Sequence, residues 1–387
     1  MNTKQGYKYT ELGIIPEDWD TRSISQILSV GNGRDYKNKP FGNIPVYGTG
    51  GIITYIDDYL YDGQTICIGR KGTIDKPLFY SGKIWTVDTL YYTYNFIDVD
   101  VKFIYYMLLT IDWMSLNEAT GVPSLTSDRI KQIVLALPPL SEQRAIAQAL
   151  TDVDNLIAAL DKQISKKRLI KQGAMQQLLT GKKRLPGFTD EWKEKKLGEI
   201  CLFQNGYTPS KAIRHFWENG TIPWFRMEDI RTNGRILDHA FQYITNEAVK
   251  GNLFPAGSII MSTTATIGEH ALVIVDSLAN QQFTNLIIRK SFDKQVDTIW
   301  FYHYCYTLGE WCRNNINEGG LAAVNMEDFS NVQITLPPIL EQQAIATILS
   351  NMDKEIEELE IRKEKYSLIK AGMMQKLLTG QIRLKTE

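Results

Sequence analysis

The sequence predicts an α+β fold: two mixed α/β modules, related by a pseudo-twofold axis, joined by two long antiparallel coiled-coil helices. Three observations predict it. The stretch LPPLSEQRAIAQAL at 137–150 returns as LPPILEQQAIATIL at 336–349, 199 positions later. From 137–185 against 336–384 the repeat runs without a gap, about half of its positions are identical, and it ends in QQLLTGKKRL and QKLLTGQIRL. Self-similarity of that length reports a duplicated structural unit. Finally, apolar residues inside both copies recur at alternating gaps of four and three, while the rest of the chain alternates short strand-like runs with turn clusters.

The first variable module, 1–136, carries the strand runs IPVYG, TICIG and KIWTVDTLYYTYNF, separated by the polar loops GNGRDYKNK (31–39), GRKGT (69–73) and TGVPSLTS (120–127). The first repeat, 137–185, opens after a Pro-Pro and places Ile146, Leu150, Val153, Ile157, Leu160 and Ile164 on one narrow stripe, a coiled-coil seam. The second module, 186–335, offers GSIIM, HALVIV and TNLIIR as strands, with loops QNGYTPSK (204–211), RMEDIRTNGR (226–235), STTAT (262–266) and NQQFTN (280–285). The second repeat, 336–387, sets Ile345, Leu349, Met352, Ile356 and Leu359 in the same register.

The modules also align, though faintly. Trp19 matches Trp192, DGQTICIGRKGTI at 62–74 matches AGSIIMSTTATIG at 256–268, and TGVPSLTSDRIKQIVLALPP at 120–139 matches GGLAAVNMEDFSNVQITLPP at 319–338. The offset grows between the tryptophan and the second of these matches, so the second half carries an insertion around NGYTPSKAIRHFWENGTIPW.

From each Pro-Pro to Gly181 and Gly380, which would cap the helices, about 40 residues make a rod of roughly 60 Å at 1.5 Å per residue. Charge selects the pairing direction. The first helix is basic over 161–171 and the second acidic over 353–360, so an antiparallel pair sets Lys162, Lys166, Lys167 and Arg168 beside Glu358, Glu357, Glu355 and Asp353. Exposed ion pairs act here as selectors rather than as stabilisers, each contributing at most about 1 kcal/mol. The faces away from the seam, with Gln143, Ala147, Gln176 and Gln177, read as docking surfaces for other subunits.

Composition excludes more than it identifies. Net charge is −1, and residues 1–136 and 186–335 hold 13 basic to 15 acidic and 13 basic to 17 acidic groups, so neither module is a basic face. No apolar run approaches the roughly 18 residues that span a bilayer, and the start MNTKQGYKYTELG has no apolar leader segment, which together point to a cytoplasmic protein without membrane contact. Cys67, Cys201, Cys305 and Cys312 stand singly and read as buried reduced thiols. His303, Cys305 and Cys312 fall on one amphipathic helix, FYHYCYTLGEWC, and not in a metal-ligand pattern.

Catalytic constellations are missing. VYGTGG at 46–51 lacks a strand–GxGxxG–helix context, GQTICIGRKGT fails the P-loop spacing, and LPPL and LPPI lack the polar residue and aromatic with which an N-P-P-Y motif holds a flipped base. No metal site and no catalytic residue is assigned. The loop chemistry suits nucleic acid instead: Arg and Lys fork onto guanine, Asn and Gln onto adenine, Ser and Thr hold phosphates. The aligned turns GRKGT and STTAT set Arg70 and Lys71 in one module against Thr264 and Ala265 in the other, so one scaffold would read two different targets. Taken singly, each loop is also an ordinary solvated turn.

The layout, with LPP..EQ..I...L opening two long helices, LL.G closing them and W....L..I leading into each variable module, resembles the DNA-specificity subunit of type I restriction-modification systems over the full chain. The resemblance implies that 1–136 and 186–335 are target recognition domains, each reading one half of a split sequence in double-stranded DNA. Helices 141–180 and 340–379 would set the gap and dock two methyltransferase subunits. S-adenosylmethionine is then expected in those partners, and ATP and Mg in restriction subunits, with no cofactor and no catalysis in this chain. The residues expected to touch DNA are Arg34, Lys37, Arg70, Lys71, Thr73 and Ser124 in the first domain, and Tyr207, Ser210, Lys211, Arg226, Thr264, Thr266 and Asn325 in the second. The competing expectation is a non-catalytic coiled-coil adaptor displaying two modules that bind carbohydrate or protein.

Overall fold

The computed structural model describes residues 5–317 and 322–384; positions 319–321 of the GGLAAV stretch lie outside the described residues. The chain forms two compact units, Met1–Lys162 with Glu360–Glu387, and Gln163–Leu359. The helices Leu140–Leu178 and Ile339–Leu377 each contribute to both. Each unit therefore gathers one variable region and a part of each helix, a division different from the sequence boundaries at 136, 185 and 335.

The first unit is built on a six-stranded sheet, in the order Ser29–Asn32, Leu90–Tyr94, Tyr61–Gly69, Leu78–Thr86, Phe41–Gly48 and Gly51–Ile56. Neighbours are antiparallel except for Phe41–Gly48 beside Leu78–Thr86. In the second unit Cys201–Asn205, Phe283–Ile288, Ser258–Ser262 and His270–Val273 repeat the order of the first four, with the short parallel strand Ile236–Leu237 added at the edge. The strand runs read from sequence in both modules lie on these sheets, except that KIWTVDTLYYTYNF, read as one run, is broken by a turn into the end of Leu78–Thr86 and Leu90–Tyr94. The insertion contributes Ile222–Phe225, which pairs with Tyr243–Ile244 and Leu278–Ala279 and closes a separate core around Trp224, Phe225, Phe254 and Phe283.

A second mirrored pairing ties each module to its helix. Asp20–Ser23 runs antiparallel to Val134–Leu137, and Lys193–Lys196 to Gln333–Leu336, so the residues after each lead-in tryptophan pair with the strand that ends at the Pro-Pro. Beyond the Pro-Pro, Ile146 and Leu150 enter the core with Ile24, Ile66, Phe103 and Trp113, while Ile345 and Leu349 enter the core with Ile200, Leu286, Trp300 and Phe329. The first part of the sequence stripe thus packs into the module that precedes it. Helix Thr298–Asn314 is the FYHYCYTLGEWC helix, and all four cysteines are buried and free. Burial pushes the Cys67 and Cys312 thiols up to about 12.

The EQ of each repeat is where helix and module are joined. Gln143 Nε2 donates to the Pro138 carbonyl (2.9 Å), and its Oε1 accepts from the Asp100 amide (2.9 Å). Asp100 in turn caps helix Val101–Leu108 through Phe103 N. Gln342 does the same with Pro337 O (2.7 Å) and Asp297 N (2.8 Å), and Asp297 caps the next helix through Trp300 N. Gln143 is 2% exposed and Ala147 3%, which corrects their expected place on a docking face: the amide satisfies backbone groups beside the prolines and the methyl fills the core. Gln176 and Gln177 are exposed.

Glu142 and Glu341 are buried carboxylates, each held by an arginine that follows the end of the other repeat helix. Arg383 reaches Glu142 with Nε and Nη2 (2.7 to 3.0 Å) and forks onto Asp18. Trp19 Nε1 donates to the same carboxylate (3.3 Å). In the second unit Arg184 Nε and Nη2 (2.8 and 2.7 Å) and Trp192 Nε1 (2.8 Å) converge on Glu341. These bonds to Glu142 and Asp18 hold the Arg383 proton more tightly and keep the Asp18 carboxyl below its usual range. Gly181 and Gly380, at φ +70° and +69°, turn the chain after each helix. A side chain on Gly380 would come within 2.5 Å of Pro16.

Ion pairs give the helix direction within each unit. Asp154 pairs with Lys370 and Asp161 with Lys363 in the first, both at 2.6 Å; Lys167 pairs with Glu355 and Lys171 with Asp353 in the second. Numbers rise along one helix as they fall along the other, so the segments are antiparallel, as the charge pattern predicts. Lys167 and Glu355 meet as expected, whereas Asp353 is taken by Lys171.

Two outcomes follow from this packing. Arg383→Ala leaves Glu142 buried without its cation, and should destabilise the first unit by about 3 kcal/mol, read by thermal or urea unfolding. An unchanged midpoint would show that the carboxylate is solvated. All four histidines lie in the second unit. Burial, reinforced by Arg235 and Lys171 respectively, lowers His270 and His303 to about 3. Below about 6.5 the unfolded chain takes protons that the folded imidazoles refuse, so stability falls as pH drops from 6.5 towards 3, by up to about 1.4 kcal/mol per pH unit per histidine. His303→Gln should flatten that slope in melts recorded from pH 7 to 4.

Candidate nucleic-acid interface

At one end of each sheet the two units build the same main-chain clasp. In the first unit the Gly33 amide donates to Leu90 O (3.0 Å), Arg34 N to Thr86 O (2.8 Å) and Arg70 N to Thr89 O (2.8 Å), which fastens two loops around the turn 86–90. In the second, Gly206 N donates to Phe283 O (2.8 Å), Tyr207 N to Ala279 O (2.9 Å) and Thr263 N to Gln282 O (3.0 Å) around 279–283. The glycines are obligatory, because a Cβ would lie 1.9 Å from Val87 O at Gly33 and 2.2 Å from Asn280 O at Gly206. Even a tryptophan is matched: Trp85 Nε1 donates to Arg34 O (2.8 Å) and Trp224 Nε1 to Tyr207 O (2.9 Å), although Trp224 comes from the insertion.

A third loop joins each clasp. Lys71 bridges Ser124, Gly72 N donates to Pro123 O (2.9 Å) and Leu125 N to Arg70 O (2.9 Å). Correspondingly Thr264 bridges Ala323 and Val324 N donates to Thr263 O (2.9 Å). The main chain makes these bonds and leaves the side chains to differ: Arg34 corresponds to Tyr207, Arg70 to Thr263, Lys71 to Thr264 and Ser124 to Ala323. This is one position off the expected match of Arg70 and Lys71 with Thr264 and Ala265, and Thr263 is buried with its hydroxyl on Thr284 Oγ1 (3.0 Å).

Of the residues singled out in the first module, Arg34, Arg70, Lys71 and Ser124 therefore gather at one clasp, and Thr73 follows it in the same loop, its carbonyl close to Gly69. Lys37 lies exposed in the adjoining loop, its amide bonded to Asp35 (3.1 Å). Arg70 is half-buried against the Tyr91 ring (5.9 Å) with a long bond to Asp88 O (3.4 Å). Among the described residues no carboxylate pairs with Arg34, Lys37, Arg70 or Lys71.

The second module spreads its residues more widely. The Tyr207 hydroxyl is engaged internally, donating to Ala248 O (3.1 Å) and accepting from Lys250 N. Ser210 and Lys211 are exposed on the insertion, with Ser210 O accepting from Trp217 Nε1 (3.1 Å). Arg226 precedes helix Met227–Asn233 and pairs with Glu228 (2.9 Å). Asn325 caps helix Met326–Ser330 by accepting from Glu327 N (2.9 Å), the role that Thr126 has before helix Ser127–Gln132. Thr264 is in the clasp and Thr266 follows it, its Oγ1 buried without a hydrogen-bond partner among the described residues.

Sequence reasoning missed the central turn TVDTL at 86–90, which receives the bonds of both flanking loops. Its signal lies in Gly33, whose need is set by the Val87 carbonyl, 54 positions away, and is visible only once the strands are paired. Tyr207→Phe loses bonds to Ala248 and Lys250, and should cost the second unit about 1 kcal/mol in an unfolding titration.

A family model described as the type I restriction modification DNA specificity domain matches the chain twice, over 16–167 and 189–365. The EcoprrI type I restriction enzyme specificity subunit of Escherichia coli is 47% identical over 164 residues, a match that spans 42% of this chain and 40% of that protein. The putative MjaX specificity subunit of Methanocaldococcus jannaschii is 26% identical over 99% of this chain and 98% of its own length. Among solved structures, the type I restriction-modification S subunit from M. genitalium shares the fold with a TM-score of 0.65 at 13% identity, covering 100% of this chain and 99% of that one.

Proposed function

The chain belongs to the family of type I restriction-modification DNA specificity domains, and from that membership we propose that it is the sequence-reading subunit of such a complex. Each unit reads one half of a bipartite target in double-stranded DNA. The two long helices set the unspecified gap and dock two methyltransferase subunits. The chain itself is non-catalytic: methyl transfer from S-adenosylmethionine belongs to those partners, and ATP- and Mg-dependent cleavage to restriction subunits, in the cytoplasm.

The observation that carries this reading is the duplicated clasp, in which one main-chain frame presents two different side-chain sets. A guanidinium such as Arg70, anchored on an aromatic ring with a long bond to Asp88 O as its one side-chain hydrogen bond among the described residues, keeps N–H groups for a forked bond to guanine O6 and N7. Thr263, at the position matching Arg70, is turned inward onto Thr284, and Thr264, at the position matching Lys71, has no such reach and favours other bases or phosphate. Weak net charge is offset when partner subunits share the phosphate grip.

The test is the methylome of an unmethylated host that expresses this chain with its methyltransferase subunit. A two-part motif with a fixed gap is expected. No new methylation from a demonstrably assembled complex would return the adaptor reading. Arg70→Ala should alter the preference at one half-site by a factor of about 5 to 100 and spare the other. Uniform loss at both half-sites, with the fold intact, would remove Arg70 from base reading.

A further inference from the structure

The second unit holds a cleft of about 580 Å³ beside its clasp, between the turn after strand Ser258–Ser262, helix Met227–Asn233 and the end of helix Thr298–Asn314. Its polar lining is Arg231, Arg235, Arg313, Thr266 and Glu269. Glu269 is committed to Arg235, which also donates to His270 O (2.9 Å) and lies over the Tyr306 ring (5.4 Å). That guanidinium is therefore fixed in place and its charge is balanced. Arg231 and Arg313 are exposed and, among the described residues, pair with no carboxylate.

The cleft is shaped for them. Gly268, at φ +85°, lets Arg313 lie across the turn, since a Cβ there would come 2.6 Å from its Nη1 and 2.4 Å from Gly309 O. In the same turn Ala265 holds φ +56°, a conformation rare outside glycine and concentrated at functional sites. Thr266 lines the same cleft, and among the described residues its Oγ1 has no hydrogen-bond partner. Two guanidiniums without a carboxylate partner, beside the balanced Arg235–Glu269 pair and the Thr266 side chain, describe a seat for a tetrahedral oxyanion.

We propose that this cleft seats a phosphate of the DNA backbone next to the second half-site, and thereby fixes the register in which the clasp side chains meet the bases. The proposal rests on the reading of this unit as a DNA-binding one. Phosphate contacts position a protein without reading sequence, so the seat supplies position while the clasp supplies preference.

The test uses the chain assembled with its methyltransferase partner, and DNA duplexes with the bipartite target or a scrambled one, titrated between 50 and 300 mM salt. In R231A/R313A the slope of log K against log salt should become shallower by about 1, with cognate and scrambled DNA weakened by the same factor. Thr266→Val should weaken both duplexes equally. Melting curves of each variant report that the fold is kept.

An unchanged slope and affinity would overturn the proposal. So would a relaxed preference at the second half-site with the slope unchanged, which would make these residues base contacts. Inorganic phosphate that raises the melting temperature of the wild type but not of the double variant, without any change in the salt slope, would assign the cleft to a free anion instead. A wild-type complex that binds no bipartite duplex would overturn the DNA reading itself, and the seat with it.

Discussion

The burial of Glu142 and Glu341 is the constraint around which each unit is arranged. A carboxylate excluded from water is tolerated only when cations and N–H donors surround it. Each of these has a bidentate arginine and an indole, supplied by segments far apart in sequence. The tryptophan comes from the lead-in to the module and the arginine from beyond the other repeat helix. A single carboxylate thus requires module, helix start and helix end to be together, and the neighbouring glutamine extends the requirement to the Asp cap of the next helix.

This explains what could be read from the sequence. The repeated LPP..EQ, the tryptophans and the RL after each LL.G stand out because they are parts of one buried device and must match in both copies. The strands TICIG and GSIIM and the helix FYHYCYTLGEWC were legible from local apolar pattern alone. The functions of Gln143 and Ala147 were not: polar and small residues on a helix read as surface, and only the fold shows that they face prolines and core. Similarly, GRKGT and STTAT were recognisable as equivalent turns, but the turn 86–90 that binds them together has no pattern of its own. The candidate contacts divide along the same line, with those near Gly33 and Gly69 converging and those on the insertion dispersing.

The two units also show how a duplicated frame absorbs difference. Asp154 and Asp353 occupy equivalent positions, and each pairs with a lysine, Lys370 or Lys171. The helix facing them offers Tyr106 in one unit, donating to Asp154 (2.8 Å), and His303 in the other, bonded to Ser350 (3.2 Å). The insertion in the second unit does not disturb the shared four strands. It brings a core of its own and returns an indole to the acceptor that Trp85 satisfies in the first.

Because amides and carbonyls fasten the clasp, the side chains at 34, 70, 71, 124, 264 and 323 carry almost no structural duty, unlike those of Tyr207 and Thr263, which are bonded internally. Substitution at positions 34, 70, 71 and 124, or at 264 and 323, removes no bond of the frame, whereas Thr263 is buried with its hydroxyl on Thr284 and a change at Gly33 or Gly206 collides with a carbonyl. Mutation at these surfaces is therefore nearly free of folding cost and directly visible to selection. Such a loop set can drift quickly to new preferences while its scaffold stays fixed, which makes the clasp a natural target for laboratory evolution, with the glycines left alone and the remaining positions randomised together.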